Sequence, residues 1–156
     1  MINMKKIAII CCMVWLLLPM AARPGDAQVA EGMGSVIILR VQYAASTLNE
    51  EFVVIFNQGK TAVDISGWVL FNSYYQEYRN LPLRERNDVL AWKHVYRIPY
   101  GVVLEPRRWV RICSGHGQDN ELYLYRNLNG EWLEDEGDTV YLMDTGFTVI
   151  DQKSWP

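Results

Sequence analysis

The chain has 156 residues, half of them hydrophobic, with 18 acidic against 15 basic side chains for a formal net charge of −3, and three cysteines. That length suits one domain with a single core. The cysteines lie at 11, 12 and 113, and two inside one apolar run do not make the disulfide framework of a small stapled scaffold.

In chain order, Lys5 and Lys6 precede the apolar run Ile7 to Leu18, which is too short to span a bilayer as a mature helix. Residues 1–27 are therefore expected to be a secretory signal peptide, with the small-x-small site Gly25-Asp26-Ala27 placing the cut before Gln28. A cut after Ala22 is the second reading, since Met20 fills its other recognition position, and an uncleaved anchor is the third. Removing the leader takes Lys5, Lys6 and Arg23 but only Asp26, leaving 12 basic minus 17 acidic, or −5. The product is expected to be secreted, extracellular or in the cell envelope, without a stable membrane span after cleavage. Cys11 and Cys12 leave with the leader. Cys113, in the apolar run WVRIC, is expected to be a small buried hydrophobe, with an intermolecular disulfide as the alternative.

After the linker 28–34, short β-rich runs alternate with turn residues: SVIILRVQY, EFVVIFN, DISGWVLFN, HVYRIP, RRWVRIC, ELYLYRN, DTVYLMD and FTVIDQK. Breaks fall at Asn57-Gln58-Gly59-Lys60, Asp119-Asn120, Asn129-Gly130 and Asp144-Thr145-Gly146. In EFVVIFN, Phe52, Val54 and Phe56 share one face while Val53 and Ile55 are apolar too, as in a strand covered on both sides or at a crowded edge. The pattern predicts an all-β sandwich or barrel. No glycine-rich phosphate loop and no internal repeat interrupts it. In DISGWVLFN, Asp64 can accept bonds from backbone N–H groups two residues on, Ser66 and Gly67 permit a tight or bulged approach, and Trp68 then enters the core as a pillar rather than a ligand platform.

From about Ser35 to Trp155 the chain resembles the lamin-tail domain family, through an ordered set of segments: NEEFVVIFNQG, VDISGWVLFN, YRIPYGVVLEP, WVRICSGHG, GDTVYLMD and a terminal FTVID. The resemblance implies an immunoglobulin-like β-sandwich over 35–156. It also implies a scaffold that offers surfaces to partners, since lamin tails contact DNA and exported prokaryotic relatives occur beside extracellular nuclease domains. The chain departs from the family between Ser73 and His94, where a short connection is lengthened into an insertion before YRIPYG.

Candidates for chemistry are weak. Cys113-x-x-His116 has metal-ligand residue types, but a structural zinc needs about four ligands and the other histidine, His94, is in an unrelated segment. Glu134, Asp135, Glu136 and Asp138 lack the spacing and glycine of a calcium loop and are expected to form a solvated turn. Ser114 sits in C-S-G-H-G rather than a nucleophile elbow. The expectation is a non-enzyme with no metal, cofactor or catalytic residues. The middle of the chain is more distinctive. Arg79 to Arg111 holds eight basic and three acidic residues, or +5, and Ile112 to Pro156 holds two basic and nine acidic, or −7. Aromatics interleave with the cations, and the candidate binding residues are Tyr74, Tyr75, Tyr78, Arg79, Arg84, Arg86, Trp92 and Lys93. The competing reading has those aromatics packing the insertion onto the sandwich and the arginines pairing with the acidic C-terminal third. The expected function is an exported, monomeric, non-catalytic interaction module presenting the insertion to a protein or cell-surface polymer. Nucleic acid is the second partner class, bound by an accessory domain of an extracellular nuclease or surface system.

Overall fold

The structure is a computed structural model that describes residues 34–156, so the predicted leader and residues 28–33 of the predicted linker lie outside it. Ten strands follow in chain order: β1 Val36–Gln42, β2 Phe52–Asn57, β3 Val63–Asp64, β4 Val69–Asn72, β5 Val95–Arg97, β6 Val103–Leu104, β7 Trp109–Cys113, β8 Tyr123–Tyr125, β9 Asp138–Met143 and β10 Val149–Trp155. One four-stranded sheet runs β1-β2-β7-β8, the other runs β10-β9-β4-β5, and β3 pairs with β6 alone. All pairings are antiparallel except β7 with β8. The molecule is an all-β, immunoglobulin-like sandwich. Each of the eight predicted segments overlaps one strand of three or more residues, although β10 runs two residues past its segment to Trp155. β3 and β6 were not anticipated, because two-residue strands show no periodicity.

Alternation decides which side chains fill the core. In β2, Val53 and Ile55 are fully buried between the sheets against Val110, Ile112, Leu70 and Leu142. Phe52, Val54 and Phe56 therefore stand on the opposite, outer face of that sheet. Trp68 joins the core at 2% exposure, just before β4. Its approach is built as expected: Asp64 Oδ1 accepts from Ser66 N at 2.8 Å, Gly67 takes φ +74°, and Trp68 N reaches back to Ile65 O at 3.1 Å. The paired hydrogen bonds to Ser66 hold the Asp64 carboxyl below its ordinary range.

The first break is organised by Asn57, which is buried at the end of β2. Its Nδ2 donates to Thr61 O and Leu104 O, both at 2.8 Å, and its Oδ1 accepts from Gly59 N at 2.9 Å and Ser35 Oγ at 3.0 Å. All four bonding capacities of the amide are used. A Cβ on Gly59 would stand 2.5 Å from Ser35 Oγ, so the turn needs glycine for close approach.

Both lateral seams of the sandwich are closed by a charged side chain reaching an edge backbone. At one side, Asp151 of β10 accepts from Ile38 N of β1 at 2.7 Å, where bulges in both strands turn the edges together. At the other side, Arg126, directly after β8, donates from Nη2 to Lys93 O at 2.5 Å and to Val95 O of β5 at 3.2 Å. The outer edge of β8 is blunted as well: Asn120 Oδ1 takes Tyr123 N at 3.0 Å and Asp119 Oδ1 takes Tyr125 N at 2.8 Å. Side chains of the predicted Asp119-Asn120 break thus occupy donors that would otherwise template another strand.

Candidate functional site

The insertion is helical, which its lack of a long amphipathic period did not reveal. It carries α1 Ser73–Tyr78, a 3₁₀ turn Leu83–Glu85, α2 Asp88–Ala91 and a 3₁₀ turn Trp92–His94. Asparagines start both α-helices. Asn72 Oδ1 accepts from Tyr75 N at 3.3 Å, and Asn87 Oδ1 accepts from Val89 N at 3.2 Å.

The root of the insertion is a buried polar knot. Asn72 Nδ2 donates to Trp132 O and contacts His94 Nδ1, both at 2.9 Å, joining the end of β4 and the last residue of the excursion to the segment before β9. With one amide proton on Trp132 O, the other goes to His94 Nδ1, which is then the unprotonated ring nitrogen. Burial, followed by the neighbouring charges of Lys93 and Arg126, pushes His94 down to about 4. The imidazole is therefore neutral at pH 7. Tyr74 stacks on it with ring centroids 4.1 Å apart.

Beside His94, the Arg126 guanidinium lies 4.1 Å over the Trp132 ring and 5.7 Å over Tyr96. Trp132 N in turn donates to Glu51 Oε1 at 3.2 Å, and Ser114 Oγ donates to the same oxygen at 2.5 Å. Burial raises the Glu51 carboxyl and lowers Arg126 to about 9, while their opposite charges attract. Burial also drives the Tyr96 phenol up, so it stays protonated.

The eight predicted binding residues divide into two sets. Tyr75 and Tyr78 turn inward. Tyr75 packs edge-on to Phe71 at 5.7 Å and stacks with Tyr78 at 5.5 Å, and Phe71 continues the stack onto Tyr141 at 5.2 Å. The Tyr78 hydroxyl bonds Asp88 Oδ1, tying α1 to α2. Arg79 lies 5.5 Å over Phe71 and donates to Met143 Sδ at 3.2 Å. Arg86, although exposed, donates to Arg79 O at 2.7 Å and Leu81 O at 3.0 Å. These residues pack the insertion onto the second sheet, as the competing expectation held. Its other half fails: among the described residues the one ion pair is Arg84 with Glu85, 3.4 Å apart, so the arginines do not pair with the acidic C-terminal third. Their partners are backbone carbonyls and rings.

Tyr74, Arg84 and Trp92 face outward, Lys93 is half-buried, and the outward surface contains residues the sequence did not single out. Leu83 is 81% exposed, Val89 76%, Leu90 56% and Trp92 59%. Every residue from Leu81 to Leu90 is exposed. Packing against the sandwich is thus confined to the two ends of the insertion, and its tip sets exposed apolar side chains beside a balanced set of charges, Arg84 and Arg86 against Glu85 and Asp88. The other missed residues are Arg126, Trp132 and Glu51. Each sits alone in its own segment, and only the seam brings them together.

Elsewhere, Cys113 is buried with its thiol pushed up by that burial, and His116 is exposed with Nε2 against Asn129 Oδ1 at 3.0 Å. Glu134, Asp135 and Glu136 lie exposed on a turn before β9. No group of three or more His, Cys, Asp or Glu among the described residues is placed to hold a metal ion. No described helix is long and apolar enough to cross a membrane. The family model of the lamin tail domain matches residues 30–156. No curated protein matches the chain. With that match spanning most of its length and an immunoglobulin-like sandwich beneath it, the chain belongs to the lamin tail domain family, a family of non-catalytic interaction domains.

Proposed function

We propose that this domain is an exported, monomeric interaction module that presents the tip of its insertion to a protein partner or cell-surface polymer. The observation that carries this reading is the contrast within the insertion. Its two ends are tied to the sandwich by Asn72, His94, Tyr75 and Tyr78, while Leu83, Val89, Leu90 and Trp92 stand in solvent. Large exposed apolar side chains on a held excursion are costly unless a partner covers them. Export is supported by the pairing of Lys5 and Lys6 with the short apolar run that follows.

The second reading, a nucleic-acid accessory domain, draws on the local charge of +5. Arg79 and Arg86 already donate to Met143 Sδ and backbone carbonyls, which leaves fewer cations for phosphates than the sequence count implies. The two readings separate by salt: phosphate contacts weaken steeply as salt rises and apolar contacts do not.

The test uses the folded domain and a variant carrying Leu83→Ser, Val89→Ser, Leu90→Ser and Trp92→Ser as paired baits against envelope and medium fractions, at low and high salt. The expected result is a partner retained at high salt by the native tip and lost from the variant. Retention by both baits would overturn the tip as the site. Loss from the native bait in proportion to salt, with nucleic acid in the eluate, would favour the second reading.

A further inference from the structure

The outer face of the β1-β2-β7-β8 sheet carries side chains that neither the core nor the insertion uses. A solvated sheet face ordinarily bears polar residues. Here Arg40, Val54, Arg111 and Tyr123 form one cross-strand row, with Phe52 on the row at one side and Phe56 and Trp109 on the row at the other. An open groove of about 450 Å³ runs over all of them but Phe56, walled on the β1 side by Leu39. Its charged lining consists of the Arg40 and Arg111 guanidiniums, without any carboxylate.

Both cations are pre-positioned. Arg111 lies 3.6 Å over the Phe52 ring and 5.9 Å over Tyr123, and its Nη2 donates to Asn49 O at 2.9 Å. Arg40 lies 5.5 Å over the same Phe52 ring and donates to Gln42 Oε1 at 2.8 Å. Neither forms an ion pair among the described residues. A guanidinium stacked on an aromatic face has lost little further freedom when its remaining N–H fork meets a carboxylate. Leu39, 47% exposed, and half-buried Val54 add an apolar wall to the groove.

We propose that this sheet face is a second docking surface, for an acidic protein segment that sets carboxylates on Arg40 and Arg111 and an apolar side chain against Leu39 and Val54. Charge complementarity selects the acid. One observation selects a short protein segment over a polyanionic chain. Ring faces that bases or sugars would stack on are already covered: guanidiniums take Phe52, and Tyr123 meets Arg111 and stands perpendicular to the Trp109 ring, whose centroid is 5.9 Å away.

A displayed library of random peptides, panned on the folded domain, tests this directly. The enriched peptides should be richer in Asp and Glu than the library and should carry at least one large apolar residue. Their affinity should fall about tenfold in Arg111→Lys, which keeps the charge but loses the fork, and at least as far in the exposed variant Arg40→Gln. Unchanged melting temperatures for both variants establish that the fold is intact, and Arg40→Gln serves alone if Arg111→Lys is unstable. Binding that survives the serine-substituted insertion tip and fails in Arg40→Gln distinguishes this face from the insertion. Absence of enrichment, selection of acid-poor peptides, affinities unmoved by both variants, or oligothymidylate or oligogalacturonate binding tighter than any peptide would each overturn the proposal.

Discussion

The insertion and the outer face of the first sheet both interleave arginines with aromatics, yet they use the guanidiniums differently. In the insertion, short helices and turns leave carbonyls without ladder partners, and Arg86 and Arg126 fill them at Arg79 O, Leu81 O, Lys93 O and Val95 O. On the sheet, the carbonyls beneath Arg40 and Arg111 belong to the strand ladder, so these cations lie on Phe52 instead, with only the loop carbonyl of Asn49 taken by Arg111. The same two residue types thus make a structural joint where backbone acceptors are spare and an open cationic groove where they are not. A local composition of Arg and Tyr therefore does not distinguish a binding surface from a brace.

The largest expected effect breaks the joint. Arg126→Ala removes both carbonyl bonds from a charged donor together with its ring contacts over Trp132 and Tyr96, and should cost about 3–5 kcal/mol in chemical denaturation. A loss below about 1 kcal/mol would mean that the root of the insertion is not held there. Acidification should act on the same joint through His94. Its folded value of about 4 lies below the ordinary 6.5, so the unfolded chain takes the proton first as pH falls. The stabilisation is fully present above about pH 6.5 and is lost progressively down to about pH 4. Because the raised Glu51 carboxyl works in the opposite sense above its ordinary 4.5, the measurement is the difference between native protein and His94→Gln across that window. That difference should approach, at most, about 3 kcal/mol.

Smaller effects sharpen the contrast. Tyr78→Phe deletes the bond to Asp88 between the two helices and should cost about 1–2 kcal/mol, with amide exchange rising in α1 and α2 before the sheets. Arg111→Lys on the sheet face should shift stability by less than about 1 kcal/mol, since a cation over a ring contributes little beyond that at a half-open site. Leu83→Ser at the tip should be the smallest, within about 0.5 kcal/mol by thermal melting, because the side chain stands in solvent. A stability loss from Leu83→Ser as large as that from Tyr78→Phe would erase the distinction between the braced ends and the presented tip.

Excising the whole of Ser73–His94 would be a blunt instrument. It removes Tyr75 from the buried cluster of Val69, Phe71 and Met143, removes the Tyr78 that stacks on it, and takes His94 from Asn72. Replacing only Leu81–Leu90 spares these contacts, and loop length itself changes closure entropy only slowly.

Much of the scaffold was legible because alternation is a property of consecutive residues. Val53 and Ile55 buried opposite Phe52, Val54 and Phe56, the Asp64 turn into Trp68, and the breaks at Asn57 and Asp119-Asn120 all follow from side-chain chemistry acting within a few positions. The candidate site was legible only in outline. The excess of aromatics and cations between Ser73 and His94 drew attention to that excursion, but did not tell which of its members face inward.

The amino-acid sequence by itself determined the order of the longer strands and the burial of Trp68, since these depend on short-range pattern and on hydrophobic content that any compact packing must hide, while the place of the insertion came from the departure from the family's segment order. Tertiary structure decided the pairing of Glu51 with Trp132 and Ser114, the reach of Arg126 to β5, the neutral His94 and the outward turn of Leu83, Val89 and Trp92. Those outcomes join segments dozens of residues apart. They depend on which backbone groups the two sheets leave unpaired along their seams, a quantity that exists only once the sheets have stacked.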